Sequence, residues 1–188
     1  MKRIGGAAQT FWTPEQVSAL LTAARDHSER DYLAILVLLN HALRASELIS
    51  LTPSDIRDGQ LYVTRLKKSA RTVQPLTDAE REPLLFLCRD VQPDGRLFPI
   101  TRQHLWRIVQ KHCKTAGIPL VSAHPHSAKH TTCRAILGST GNLRTVQQYA
   151  GHSSITSTVV YTKQNDAEAS AAAAQALVWG ERAMGAAE

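Results

Sequence analysis

The sequence has no apolar stretch long enough to cross a membrane as a helix. Its longest run, Tyr32 to Leu39, is eight residues between Asp31 and Asn40. A span needs about 20, so this run predicts a core helix. The N-terminal MKRIGGAAQTFWTPE starts basic but lacks the apolar h-region of a secretory signal. Cysteine is scarce and scattered. Cys88, Cys113 and Cys133 are an odd set with no CxxC pair, which excludes a full disulfide framework and points to a reducing cytosol. The sequence also has no phosphate-cradling loop, no acidic metal cluster and no internal repeat.

What is present suits one globular unit. A chain of 188 residues with 43% apolar content can bury one good core and little more. The 22 Lys and Arg against 16 Asp and Glu leave a net +6. A basic balance of this size permits polyanion binding and raises the prior for nucleic acid.

Periodicity predicts a mostly helical chain with one small sheet, an α+β class. Thr13-Pro14-Glu15-Gln16 has the form of a helix start, followed by Val17, Leu20, Leu21 and Ala24 at helical spacing. A buried helix from about Arg30 to His41 and a short one from about Ala45 to Leu51 follow. Leu61-Tyr62-Val63-Thr64 and Arg71-Thr72-Val73 read as two strands joined by a basic loop with Lys67 and Lys68. Helices are expected over Asp78–Asp90 and Thr101–Thr115. The latter carries Arg102, Arg107, Lys111 and Lys114 on its polar side. Three short helices are expected from Ser127 to Tyr161, broken near Gly138–Gly141 and Gly151. Asp166 to Met184 is Ala-rich, with Leu177, Val178 and Trp179 as its bulky anchors, and has little reason to fold alone.

Singly, the polar residues of interest have ordinary readings. Arg44 is a charge between two helices, Lys67 and Lys68 are loop lysines, and His126 and His152 are helix caps. Tyr161 is half-buried packing. In order they form a series: Arg44-x-x-Glu47, a hairpin lysine, His126-x-x-Lys129-His130, Gly151-His152, and Tyr161 nine residues beyond His152. This series resembles the tyrosine recombinase (phage integrase) family. That family's order is Arg, a lysine on a β-hairpin, His-x-x-Arg, Gly-His, and Tyr followed closely by Thr. The likeness covers about residues 10 to 165 and is carried by FWTPEQV, HALRASELISL, TRLKKSARTVQPL, HPHSAKHT and YAGHSSITSTVVYT. Within the family, the forms RLK…TVxPL, HPHxxxH and GHxxIxxTVxYT are most like the short invertases that flip fimbrial promoter segments.

The resemblance implies the family's catalytic-domain fold with a small antiparallel β-sheet, and double-stranded DNA as partner. It implies strand cleavage and rejoining through a 3′-phosphotyrosyl intermediate, with Tyr161 as nucleophile. The chemistry agrees. Transfer at a phosphodiester builds negative charge on the non-bridging oxygens, which fixed cations and donors must meet. Arg44 offers a planar fork and His152 a further donor. Lys67 is placed as general acid for the leaving 5′-oxygen, lying four residues before Arg71 as the family lysine commonly precedes its hairpin Arg. Lys68 is the alternative. His126 would assist proton transfer at the tyrosine or brace the phosphate. Glu47 and His130 are supporting residues, Glu47 orienting its neighbours from the same helix face. Ester is exchanged for ester, so no cofactor or metal is expected.

One residue departs from the pattern. The family's second arginine is Lys129 here, which keeps the charge but loses the bidentate geometry. Arg134 is five residues further on, about 140° round a helix, and cannot replace it. The departure keeps two other readings open: a weakened DNA-binding relative, and a type IB topoisomerase-like activity. The expected organisation is an N-terminal arm at 1–12, a catalytic domain at 13–165, and a helical tail at 166–188 exchanged between protomers. The likeness begins by residue 13 and so leaves out the N-terminal helical domain of most members. DNA binding should then be weak and strongly salt-dependent. Expected partners are further copies of the chain, a dimer per site and a tetramer in synapsis, with accessory DNA-bending proteins. The expected location is the bacterial cytoplasm, at the nucleoid.

Overall fold

In the computed structural model, residues 10–65, 71–154 and 156–159 are described. The chain begins with two helices packed against each other, α1 (Pro14–His27) and α2 (Glu29–Asn40). α1 starts where the residues demand it. Thr13 and Gln16 form a reciprocal capping box, and Pro14 occupies a position whose N–H needs no partner. Ser28 both ends α1 and caps α2, which is buried from Asp31 to Leu39 and packs against α1, α4 and α6. α3 (Ala45–Ile49) follows a turn in which Ala42 takes a left-handed φ of 48°.

The sheet has three antiparallel strands in the order β1 (Ile56–Arg57), β2 (Gln60–Val63) and β3 (Thr72–Pro75). Two of these strands were expected. β1 is too short to show a period of two, and pairing across the Asp58-Gly59 turn alone creates it. The register Leu61↔Gln74 and Val63↔Thr72 turns Leu61 and Val63 inward with Thr72 and Gln74, while Val73 faces solvent.

α4 (Asp78–Arg89) and α5 (Arg102–Thr115) match the amphipathic segments. In α5, Leu105, Ile108, Val109 and Cys113 face the core, and Arg102, Arg107, Lys111 and Lys114 are exposed. α6 (Pro125–Thr140) runs through Gly138 and breaks at Gly141, within the expected Gly138–Gly141 interval. A Cβ at Gly138 would meet nothing, and the break waits for Gly141 at φ 62°. His124 caps α6, so His126 lies within the first helical turn instead of capping it. α7 (Leu143–Ala150) ends at Gly151, and α8 (Thr156–Val159) follows.

Trp12, assigned to the N-terminal arm by sequence, is 2% exposed and donates its indole N–H to the Ser122 carbonyl. The packed unit therefore includes the last residues of that arm. Among the described residues, no helix is long and apolar enough to cross a membrane. Lys67, Lys68, Tyr161 and the whole 166–188 tail lie outside the described residues.

Candidate active site

Arg44 stands at the N-terminus of α3 in an extended backbone conformation (φ −78°, ψ 154°). One helical turn on, Glu47 accepts the Arg44 backbone N–H at 2.9 Å and its Nη1–H at 2.6 Å. Glu47 thus aims the guanidinium, which remains 28% exposed. Burial alone would raise the Glu47 carboxyl. The Arg44 backbone N–H and the nearby Arg65 charge outweigh it and hold Glu47 below the ordinary carboxylate range.

Arg44 opens onto a cleft of about 720 Å³ shared with Ser46, Arg102, Trp106, His124 and His126. The structure therefore brings Arg44 and His126 together across 82 residues of sequence from the ends of α3 and α6. The His126 ring meets the His130 ring edge-on at 4.4 Å between centroids. Burial, with His124, Lys129 and Arg44 close by, lowers the His126 pKa. Burial and the neighbouring His126 push His130 to about 4. Burial likewise pushes His152 to about 4, with Lys129, Arg44 and Arg65 adding to the effect. Near neutral pH, His130 and His152 are therefore uncharged, and a neutral imidazole can donate a hydrogen bond without adding a second buried charge. His152 Nδ1 lies 3.0 Å from the Thr158 hydroxyl. Where that hydroxyl donates to Nδ1, Nε2 carries the ring proton and becomes the donor.

Lys129 is the unexpected placement. As a plain basic residue it would sit at the surface, and in the family's pattern it would face a phosphate. Here it is 1% exposed, and its Nζ donates to the carbonyls of Ala42 at 2.9 Å and Ala150 at 2.8 Å. It ties the turn before Arg44 to the end of α7, just ahead of Gly151-His152. Burial pushes its pKa down to about 7, with Arg65 adding to the effect. In this arrangement Lys129 contacts backbone and holds the cleft from beneath.

Sequence reasoning passed over Arg65. Its side chain is fully buried, and its five N–H groups find five acceptors: Thr72 Oγ1, the carbonyls of His41, Ala42 and Tyr149, and Glu47 Oε2 at 3.0 Å. A usable signal was present, because strand alternation puts Arg65 on the inward face with Leu61 and Val63. Gln74 extends the same network, with Oε1 on His41 Nδ1 and Nε2 donating to the Tyr149 carbonyl. The glycine of the Gly-His pair has its explanation here. Gly151 adopts φ 63°, and a Cβ there would lie 2.7 Å from Arg65 Cγ. Tyr149, the other tyrosine of this segment, donates its hydroxyl to the Asn40 carbonyl at 2.6 Å, and burial raises its pKa. Arg134 stacks over Phe11 at 4.2 Å, in keeping with the prediction that it cannot replace the missing arginine.

Comparison with known proteins supplies the family. The model of the Phage integrase family matches residues 10–168, most of the chain. The chain belongs to that family. It is a tyrosine recombinase with the catalytic-domain fold. The type 1 fimbriae regulatory protein FimB of Escherichia coli K12 is 31% identical, the match covering 84% of this chain and 86% of that protein. Tyrosine recombinase XerD of Xanthomonas axonopodis pv. citri is 30% identical over 80% of this chain and 57% of its own length. Among solved structures, XerA recombinase superposes with a TM-score of 0.74 at 24% identity, covering 94% of this chain and 66% of that one. XerH recombinase in a post-cleavage complex with a palindromic difH substrate gives 0.76 at 20% identity, covering 94% and 54%. This chain thus spans about two thirds or less of those longer recombinases, and their likeness at this identity concerns the fold.

Proposed function

We propose that this recombinase cleaves one strand of duplex DNA with the Tyr161 hydroxyl and rejoins it to a new partner. The observation that carries the reading is the convergence of Arg44 and His126 on one cleft, with His152 hydrogen-bonded to Thr158, three residues before Tyr161 in the chain. The tyrosyl oxygen attacks the phosphorus as its hydroxyl proton passes to His126, and the bond to the 5′-oxygen breaks. Lys67, or Lys68 beside it, protonates that oxygen. The product is a 3′-phosphotyrosyl ester and a free 5′-hydroxyl. Attack by a 5′-hydroxyl from another duplex reverses the step and returns the tyrosine. Arg44 meets the growing charge with the two donor groups that Glu47 leaves unused, and a neutral His152 supplies a further hydrogen bond. Lys129 and Arg65 contribute positive potential from beneath while fixing the backbone.

Exchange needs four such centres, so the working form is a dimer at each DNA site and a tetramer in synapsis. The 166–188 tail would dock on a neighbour, and the reaction would take place on chromosomal DNA in the cytoplasm. The resemblance of the sequence forms to the short fimbrial invertases, with a FimB match over 84% of this chain and 86% of that protein, favours inversion of a short segment as the outcome.

A nicked suicide substrate tests the reading. The wild-type chain should form a covalent adduct that maps to Tyr161, and Tyr161→Phe should bind the same DNA without forming it. An adduct that persists in the variant, or maps to Tyr149, would overturn the assignment.

A further inference from the structure

Away from the cleft, three side chains that sequence analysis did not single out come together from three helices. His27 ends α1, Asp31 lies in the first turn of α2, and His112 lies in the last turn of α5. Asp31 Oδ2 is 3.1 Å from His112 Nε2 and 3.8 Å from His27 Nδ1, and one ligand atom from each residue lies within 4.8 Å of the others. A tetrahedral zinc ion with bonds of about 2.0–2.1 Å holds its ligand atoms about 3.4 Å apart. The two shorter edges already bracket that value. The remaining closure falls to His27, whose side chain is 50% exposed and has room to turn.

We propose that His27, Asp31 and His112 form a structural site for one divalent transition-metal ion of the zinc type. Two imidazoles and one carboxylate are a mixed N/O set suited to Zn(II) or Co(II). Mg(II) and Ca(II) require ligand sets made of oxygen. Asp31 and His112 are buried and form the fixed half of the site, while His27 closes it from the solvent side and leaves a fourth position for water. The ion would pin the α1–α2 junction to the end of α5. The same helix carries Arg102 and Trp106 to the cleft, with Trp106 about 9 Å along the axis from His112. The site shares no residue with the cleft, and its role is to brace α5 without taking part in strand transfer.

Lys111 sets the strength of the site. Its ammonium lies against His27 Nε2, which must therefore act as acceptor and leave the ring proton on Nδ1. A metal on Nδ1 moves that proton to Nε2, where the Lys111 donors oppose it, so the exposed lysine has to swing away. Removing Lys111 should then tighten binding.

The test uses the full chain, stripped with a chelator and titrated with Co(II) while its visible absorption is followed. A parallel arm measures thermal melting with and without Zn(II). Wild type should take up one equivalent with the intense bands of a low-coordinate site, and Zn(II) should raise its melting temperature. His27→Gln alters an exposed residue and should keep the fold. It should bind more weakly by more than the roughly 10- to 100-fold lost with an outer-shell partner, because a direct ligand is removed, and lose both the bands and the thermal shift. Lys111→Ala should bind more tightly than wild type. Absence of a 1:1 complex in wild type, or equal bands and equal thermal shifts in wild type and His27→Gln, overturns the proposal.

Discussion

Two arginines grip one carboxylate from opposite sides. Arg44 takes Glu47 Oε1 from the cleft with 28% of its side chain open, whereas Arg65 takes Oε2 from the interior with none exposed. Both are permanently charged, and both would score alike on any count of basic residues. Their donors separate them. The five N–H groups of Arg65 are all consumed by the protein. Among the described residues, Arg44 commits only its Nη1 side and keeps Nη2 and Nε for a ligand. An arginine can hold a phosphate only with donors its own fold has left over.

The largest expected effects come from splitting this pair. Arg44→Ala should slow single-turnover cleavage by about 10²–10³, the usual cost of losing a donor to developing charge, with little change in unfolding free energy. Arg65→Met should do the reverse. It removes the interior cation from buried Glu47 and the Arg65 donor from the His41 carbonyl, while the Ala42 and Tyr149 carbonyls keep Lys129 and Gln74, and should cost about 3–5 kcal/mol in denaturant unfolding. If Arg44→Ala unfolds the protein, or Arg65→Met leaves stability intact while cleavage fails, the division of labour is wrong.

A smaller effect concerns Lys129, the third cation of the group, whose folded pKa is about 7 against an ordinary value of 10.5. Between these values the unfolded chain holds a proton that the folded one has released, so stability rises with pH across that window. Below about pH 7 the burial cost of the charge is fully present. A neutral amine still has two N–H groups, enough for the carbonyls of Ala42 and Ala150. The melting temperature of wild type relative to Lys129→Met should therefore climb between pH 7 and 10. A flat difference would mean that Lys129 stays charged in place. The smallest effect should come from Thr158→Val, which removes one hydrogen bond to His152. At about 1 kcal/mol, its loss should slow cleavage roughly fivefold. No change in rate would detach Thr158 from the site.

Much of this organisation was legible in the residues. The capping box at Thr13, the apolar α2 and the amphipathic α5 follow from local spacing, because each is decided within a turn or two of helix. The candidates Arg44, His126 and His152 were legible as an ordered series, and two of them, Arg44 and His126, line the cleft. The surroundings of Lys129 were not legible. Its burial depends on a carbonyl 87 residues away and another 21 residues away, a contact that no local pattern encodes. The His27–Asp31–His112 group escaped notice for the same reason, since α5 supplies its third member from 81 residues beyond Asp31.

By itself, the sequence determined the helical class, the small sheet, the family and the residues with the right chemistry. Period, caps and motif order are properties of neighbouring residues and survive without a fold. Tertiary structure alone decided which charges could act. Packing set which donors were used up, which side chains lost their water, and which pKa values moved. These quantities belong to the space around a group, and chain segments far apart in sequence build that space.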